Sequence, residues 1–454
     1  MNKALFPTAI TATLLCASLT TSIASAELIF PPNENKQFNW QEYEKLKAVD
    51  LSGEKISIFG PWLGTEKDYF NHVIAYFEAA TGASVSYSGS DSFEQQIVID
   101  AQAGSAPNIA IFPQPGLAAD LASKGLLSPL GQKSKADVKS SYAAGQSWVD
   151  LATFKNAQDK EDFYGVFYRV DLKSLVWYSP ENFEDAGYGV PETMEQLKSL
   201  TKDIVADGGT PWCVGIGSGA ATGWPATDWV EDLMLRTQPA DVYDQWVSNA
   251  IKFDDPKVVA AIDEFGWFVK NDDYVDGGSR AVAATDFRDS PKGMFTSPPK
   301  CYMHRQASFI PSFFPEGTEL GVDADFFYFP SYESKQLGNP VLGGGTMFGI
   351  TNDSKGARAF MDFILSPLSH ELWMAQQSFL TAHKGVNVDL YSSDAAKKQG
   401  NILLNATTFR FDASDLMPGK IGAGAFWTGM VDFTGGKSSK AVAKDIQSTW
   451  DALK

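Results

Sequence analysis

The chain has 454 residues, with 37 Lys and Arg against 55 Asp and Glu and a formal net charge of −18. Its length predicts two or three domains, and its 44% hydrophobic and 20% charged residues are the balance of a folded globular protein. So acidic a chain with no basic block excludes nucleic acid as a partner, because phosphate contacts need clustered Lys and Arg, and it has no attraction to anionic membrane.

The first element in chain order reads as a leader. Met1-Asn2-Lys3 carries one positive charge, residues 4–23 are apolar and small, and Ala24-Ser25-Ala26 is an A-x-A cleavage site. This three-part pattern predicts a secretory signal peptide over residues 1–26. Pro7 and several Thr and Ser residues interrupt the apolar run and argue against a membrane anchor. Leu15 stands before Cys16 where a lipoprotein needs a small residue. Two cysteines then remain, Cys213 and Cys301. Export to an oxidising compartment predicts a disulfide between them, worth about 4–5 kcal/mol in the chain-entropy model. Two buried free thiols are the alternative. Neither cysteine has metal-ligand spacing, so no zinc site is expected.

Residues 27–51 read as an arm packed on the surface. Residues 55–59 alternate as a strand, and Thr65, with Asp68 three residues on, is the expected cap of a helix. Phe70, Val73, Ile74 and Phe77 recur at helical spacing until Gly82. A strand at 84–87, a helix at 91–103 and an apolar strand at 108–112 follow. Such alternation predicts a parallel sheet with right-handed crossovers. A second unit begins after residues 164–168. Its expected helices cover 191–206, 227–236 and 256–269; residues 212–217 read as a strand running into a Gly-rich loop, and 301–303 and 326–329 as strands. Helices are expected at 358–365 and 369–377. Val442, Ile446, Trp450 and Leu453 form a final helical stripe that should dock on a lobe.

Several segments, in order, resemble one family. Phe77-Glu78-Ala79-Ala80-Thr81-Gly82, Ala103-Gly104-Ser105-Ala106-Pro107-Asn108-Ile109-Ala110, Leu175-Val176-Trp177-Tyr178, Gly187 to Leu197 and Gly424-Ala425-Phe426-Trp427 are similar to segments of the periplasmic solute-binding proteins of ABC sugar importers, in the maltose-binding-like branch. Asn108 replaces a usual Asp, Met194 a Trp and Gln196 a Glu. Phe112-Pro113-Gln114-Pro115-Gly116 and Lys300 to Gln306 resemble the α-glucoside-binding proteins, whose sugars include trehalose, sucrose and maltose. The resemblance implies an α/β, two-lobed periplasmic-binding-protein fold of type II, each lobe a mainly parallel sheet flanked by helices, with ligand in the cleft and a hinge between the lobes. By analogy the first lobe holds residues 53–167 and 339–403, and the second 168–338 and 404–454. The implied protein is a periplasmic monomer that passes an oligosaccharide to an ABC permease, without a cofactor.

A sugar presents apolar C–H faces and a rim of hydroxyls. It calls for flat aromatic rings beside carboxylates, amides and guanidinium groups, on loops at the carboxyl ends of strands. Trp62 follows the first strand, and Glu66 starts the next helix, where a favourable charge at a helix N-terminus is the simpler reading. Gln114 sits between Pro113 and Pro115 after the third strand, as a ligand group or an ordinary turn residue. Tyr168 lies at the first crossover; its neighbour Arg169 is expected to pair with Asp171. Trp224 is the expected stacking ring and Asp228 a hydroxyl acceptor, while Trp229 reads as core. Gly343-Gly344-Gly345 could approach ligand by backbone, Gly344 and Gly345 through their N–H groups, or serve as a hinge. Arg410 and Asp412 should share one side of a strand, as ligand groups or as a mutual ion pair. Trp427 is a ligand candidate that the resemblance supports, with core packing as its alternative.

Two other classes stay open. A secreted glycoside hydrolase would need two carboxylates at a set separation, which sequence does not fix. No catalytic motif supports it: His72, His304, His370 and His383 form no H-x-x-x-H pair, and Gly217-Ser218-Gly219 lacks the spacing of a nucleophile elbow. The other is a binding protein of the same fold for a polyamine. Metal would want His or Met clusters, which the cleft loops lack.

Overall fold

Alternating apolar residues at the start of the first unit bury Ile56 and Ile58 on one face of β1 (Lys55–Gly60). The computed structural model describes residues 28–453 apart from 144, 378 and 406. The expected leader at 1–26 and Cys16 lie outside the described residues. The remaining strands are β2 (Ser84–Gly89), β3 (Ile109–Phe112), β4 (Thr153–Lys155), β5 (Glu161–Phe163), β6 (Gly165–Leu172), β7 (Leu175–Tyr178), β8 (Met303–Arg305), β9 (Asp325–Tyr328), β10 (Pro340–Ile350) and β11 (Thr408–Phe411). They form a six-stranded sheet ordered β11-β10-β3-β1-β2, with β6 also paired to β10, a three-stranded sheet β8-β7-β9, and the hairpin β4-β5.

The larger sheet is parallel where β1 meets β2 and β3 and where β10 meets β11, and antiparallel where β10 meets β3 and β6. The smaller sheet differs from the expected parallel pattern: β8 and β9 both run antiparallel to β7. β11, expected with the second lobe, is an edge of the larger sheet through four residues paired to Pro340–Gly343.

Helices cover both sheets. Gly64–Thr81 buries Phe70, Val73, Ile74 and Phe77, and Gly82 ends it in the left-handed region at φ 73°. It starts at Gly64 without a side-chain cap, so Thr65 does not cap it. The helix expected from residue 191 begins instead at Met194, because the Thr193 hydroxyl accepts from the Gln196 N–H. Residues 212–217 form no strand. Trp212 makes isolated bridges to Val275 and Met303, and Gly217 to Asp286. The arm is more buried than expected. Phe38, Trp40 and Tyr43 pack towards Tyr76 of the Gly64–Thr81 helix, and Asn39 N–H donates to Glu371 at 2.8 Å.

One core lies around the larger sheet and includes Phe70, Phe112, Phe348 and Trp373. A second includes Trp212, Trp229, Phe265, Phe268 and Phe329, with Val442 and Ile446 of the last helix, Ser439–Asp451, docked on it. Each centre is largely aromatic. Trp229 stands 5.1 Å from Phe268 and 5.5 Å from Phe329 between ring centroids, within the range where ring pairs add about 0.5–1.5 kcal/mol beyond area burial. Cys213 and Cys301 form a disulfide with Cα atoms 5.3 Å apart. Among the described residues no helix is long and apolar enough to cross a membrane.

Candidate ligand site

The chain passes from the larger sheet to the smaller one with only Lys173 and Ser174 between β6 and β7. Within and just after β6, Arg169, Asp171 and Lys173 recur at a spacing of two, so a strand presents them on one face. All three line a cavity of about 830 Å³ of atom-free space, part of it open to solvent.

The loops after β1 and β3 supply Trp62 and Gln114. Trp62 is held by Tyr87, whose hydroxyl accepts from the Trp62 N–H at 2.7 Å and donates to its carbonyl at 3.0 Å. Gln114 is the residue before the helix Pro115–Ser123. Trp224 and Asp228 lie one turn apart on the helix Trp224–Thr237. Gly223 precedes that helix at φ 115°, and a Cβ there would stand 2.3 Å from the Trp427 carbonyl. Glycine thus lets the Trp224 helix abut the Trp427 segment.

Of the residues expected from sequence, Trp62, Glu66, Gln114, Trp224, Asp228, Gly345, Asp412 and Trp427 line this one cavity. Three do not. Tyr168 is fully buried in the first core, and its hydroxyl donates to the Ser369 carbonyl at 2.6 Å. Arg410 points to the other side of β11 and pairs with Asp244, Nε to Oδ1 at 2.6 Å. It does not share a side with Asp412, because the strand ends at Phe411 and Asp412 caps the next helix, accepting from the Asp415 N–H. Gly344 lies within β10, opposite Asp171, and a Cβ there would meet Cε of Lys173 at 2.9 Å. Gly343–Gly345 is therefore a strand segment paired to β6 rather than a free loop.

The sequence reading missed Asp91, Glu94, Lys173, Phe287, Arg288, Phe309, Thr346 and Asp415, which also line the cavity. It took Arg169 and Asp171 for a surface pair. They are buried, with Arg169 Nε 3.1 Å from Asp171 Oδ1, and Nη1 also donates to Glu66. The charged alternation at 169, 171 and 173 inside an apolar strand was the legible signal.

The floor is a buried ionic cluster. Lys173 Nζ donates to Asp228 Oδ1 at 2.9 Å and to Asp412 Oδ2. Asp412 Oδ1 accepts from the Ser414 hydroxyl at 2.8 Å, and Glu231, behind the wall, accepts from the Ser414 N–H at 2.9 Å. Burial pushes the Asp228 carboxyl up to about 8, against the pull of the Lys173 ammonium. Burial and then the Asp412 charge raise Glu231 and Asp415 well above the carboxylate range. Burial would raise Asp412 as well, but the Lys173 ammonium, with bonds from Glu231 and Asp228, outweighs it and holds Asp412 below its usual value. The cluster thus keeps its negative charge on Asp412 beside Lys173. Glu94 is pushed up to about 7 by burial. A neutral carboxyl can donate as well as accept, which suits hydroxyl partners. Oxygens of Asp228, Glu231 and Asp412 converge within 4.8 Å of one another, and the cation that bonds two of these groups is the chain's own Lys173.

The walls are aromatic: Trp62, Trp224, Phe287, Phe309 and Trp427. Trp62 Nε1, Gln114 Oε1, Asp228 Oδ2, Thr346 Oγ1 and Trp427 Nε1 are buried with no hydrogen-bond partner. Buried polar atoms are normally paired, so the gathering of these atoms, with Arg169 Nε, on residues of one cavity suits it to a polar guest. Flat rings beside amide, carboxyl and hydroxyl groups can hold a polyhydroxyl ligand by stacking and by directed hydrogen bonds.

Residues 63–369 match the family described as bacterial extracellular solute-binding protein. The alpha-glucosides-binding periplasmic protein AglE of Rhizobium meliloti (strain 1021) is 63% identical over 432 residues, 95% of this chain and 94% of its own. The osmoprotective compounds-binding protein GgtB of Synechocystis sp. is 41% identical over 401 residues, 88% of this chain and 93% of its own. Among solved structures, the bacterial solute receptor AcbH, described as having an exclusive preference for β-D-galactopyranose, superposes with a TM-score of 0.74 at 16% identity, covering 88% of this chain and 100% of that one. With its two sheets, two cores and shared cavity, the chain belongs to the bacterial extracellular solute-binding protein family and has the two-lobed α/β fold of type II periplasmic binding proteins.

Proposed function

We propose that the protein is the extracytoplasmic binding component of an ABC transporter. It captures a small α-glucoside, such as trehalose, sucrose or maltose, and delivers it to a permease. The observation that carries this reading is the cavity itself, where aromatic faces stand beside unpartnered polar atoms of Gln114, Asp228 and Thr346. The α-glucoside class comes from the Rhizobium relative's name, together with its high identity along nearly the whole chain.

In this reading the protein acts in the periplasm as a monomer and performs no chemistry on its ligand. Lobes of residues 53–167 with 339–403, and 168–338 with 404–454, close on the sugar by a hinge motion, and the pairing of β11 with β10 supports moving the last boundary from residue 404 to after Phe411. Stacking supplies affinity, and the polar rim supplies specificity.

The test is a titration of residues 27–454 with trehalose, sucrose, maltose, glucose and a polyamine, followed by Trp fluorescence. Each mixture is then assayed for breakdown. Saturation by a disaccharide recovered intact is the expected result. Cleavage of the sugar would make the protein a hydrolase, and a response to polyamine alone would overturn the ligand class.

A further inference from the structure

A second, open groove of about 990 Å³ of atom-free space lies beside the cavity, lined by Leu63, Gly64, Thr65, Phe313 and Pro315 among others. Arg288 lines both spaces. Its Nη2 donates to Asp91 Oδ1 at 2.6 Å, and Asp91 comes from the loop after β2, on the opposite wall. Its Nη1 stands 3.1 Å from Asp286 Oδ2, and its backbone N–H donates to Asp286 Oδ1 at 2.9 Å. The guanidinium lies 4.4 Å from the ring centroid of Phe287, which lines the inner cavity, and 5.9 Å from that of Phe313, which lines the groove. A Cβ on Gly219 would stand 2.9 Å from Cβ of Asp91, so the seam is closed on that side too.

Arg288 is thus fixed by two carboxylates and two rings at the boundary between the spaces. Its side chain is 22% exposed and that of Asp91 30%. A planar fork held by paired carboxylates keeps its position better than a single-point ammonium contact would.

We infer that Arg288 is a specificity-determining residue that sets ligand length. It walls the inner cavity from the groove, so the site accepts a disaccharide and rejects longer α-glucosides, which would have to pass through the Arg288–Asp91 pair. This inference rests on the sugar-binding reading above. Without the arginine, inner cavity and groove become one channel, and further sugar units can lie over Phe313.

The test uses residues 27–454 as wild type, R288S, R288Q and R288K, titrated calorimetrically with maltose and sucrose and with the tri- and tetrasaccharide extensions of each. Thermal unfolding checks that each variant is folded. The wild type is expected to bind a disaccharide at least tenfold more tightly than its tetrasaccharide. R288S should cut that ratio at least tenfold and R288Q less, while R288K, which keeps bulk and charge, holds the ratio within threefold. The milder R288Q decides the matter where R288S does not fold. A wild type that binds the tetrasaccharide as tightly as the disaccharide overturns the inference and leaves the sugar-binding reading standing. So does an equal weakening of every length in R288S and R288Q, which would make the pair a closing latch alone. Absence of disaccharide binding by the wild type overturns both.

Discussion

Lys173→Met removes the ammonium from the floor of the cavity while keeping most of the side-chain volume. In the wild type, Lys173 bonds Asp228 and Asp412, both 1% exposed. Breaking a buried pair by deleting one partner costs about 3–5 kcal/mol, because an uncompensated charge stays behind. The affected charge is that of Asp412, which Lys173 holds below its usual value. With the ammonium gone, only the hydrogen bonds to Asp412 are left to oppose burial, and its carboxyl is expected to rise above its unfolded value. A raised carboxyl favours the unfolded state at any pH where the unfolded chain is ionised and the folded one must take up a proton or bear the charge. The deficit is therefore fully present at neutral pH and shrinks as the pH falls towards about 4, the unfolded value. Urea unfolding of wild type and variant at pH 7.5, 6 and 4.5 reads this directly. The expected loss is about 3–5 kcal/mol at pH 7.5, at least halved at pH 4.5. A loss below about 1 kcal/mol at pH 7.5, or one independent of pH, would refute the assignment of Lys173 as the counterion of this cluster.

Trp224→Ala should weaken disaccharide binding at least tenfold, since the ring lines the cavity and stands 4.9 Å from Phe287, yet it is only half-buried. Calorimetric titration checks it, and unchanged affinity would remove the ring from the site. His383 is lowered to about 4 by burial, and its Nδ1 accepts from the Gly385 N–H at 3.0 Å. Because its folded value is depressed, stability is lost as the pH falls from about 6.5 towards 4, where the unfolded chain takes the proton first. His383→Asn keeps an acceptor but does not titrate. It should flatten the fall of the urea midpoint with acid between pH 6.5 and 4.5, and an unchanged slope would refute that role.

Many of the helices were legible because they are local. Phe70, Val73, Ile74 and Phe77 share a helical face whatever surrounds them, and the helix expected at 256–269 forms as Pro256–Val269. Residues 212–217 misled, because their apolar run is buried between other segments without a strand partner of any length. A Cβ at Gly215 would come within 2.6 Å of the Thr285 carbonyl, so glycine there serves close packing. Thr65 fits a capping pattern, but the helix starts one residue earlier.

For the site, aromatic and polar residues after strands were sound candidates, since those loops converge in an α/β fold. Tyr168 failed because alternation along β6 puts it on the face opposite Arg169 and Asp171, against Phe379 and His370. Arg410 failed because its nearest acid is Asp244, 166 positions away in sequence.

Composition, the local periodicities and the two cysteines after the leader are properties of the chain alone. They settle the α/β class and leave a single disulfide pairing, because short-range sterics and hydrophobic burial act within a few residues. The cavity's charge state is of another kind. Whether Asp228 is a ligand group, a helix acid or a partner of Lys173 depends on Lys173, Asp412 and the Asp228–Glu231 helix meeting from three separate segments. Desolvation and Coulomb attraction depend on distance in space, and only the folded chain sets those distances.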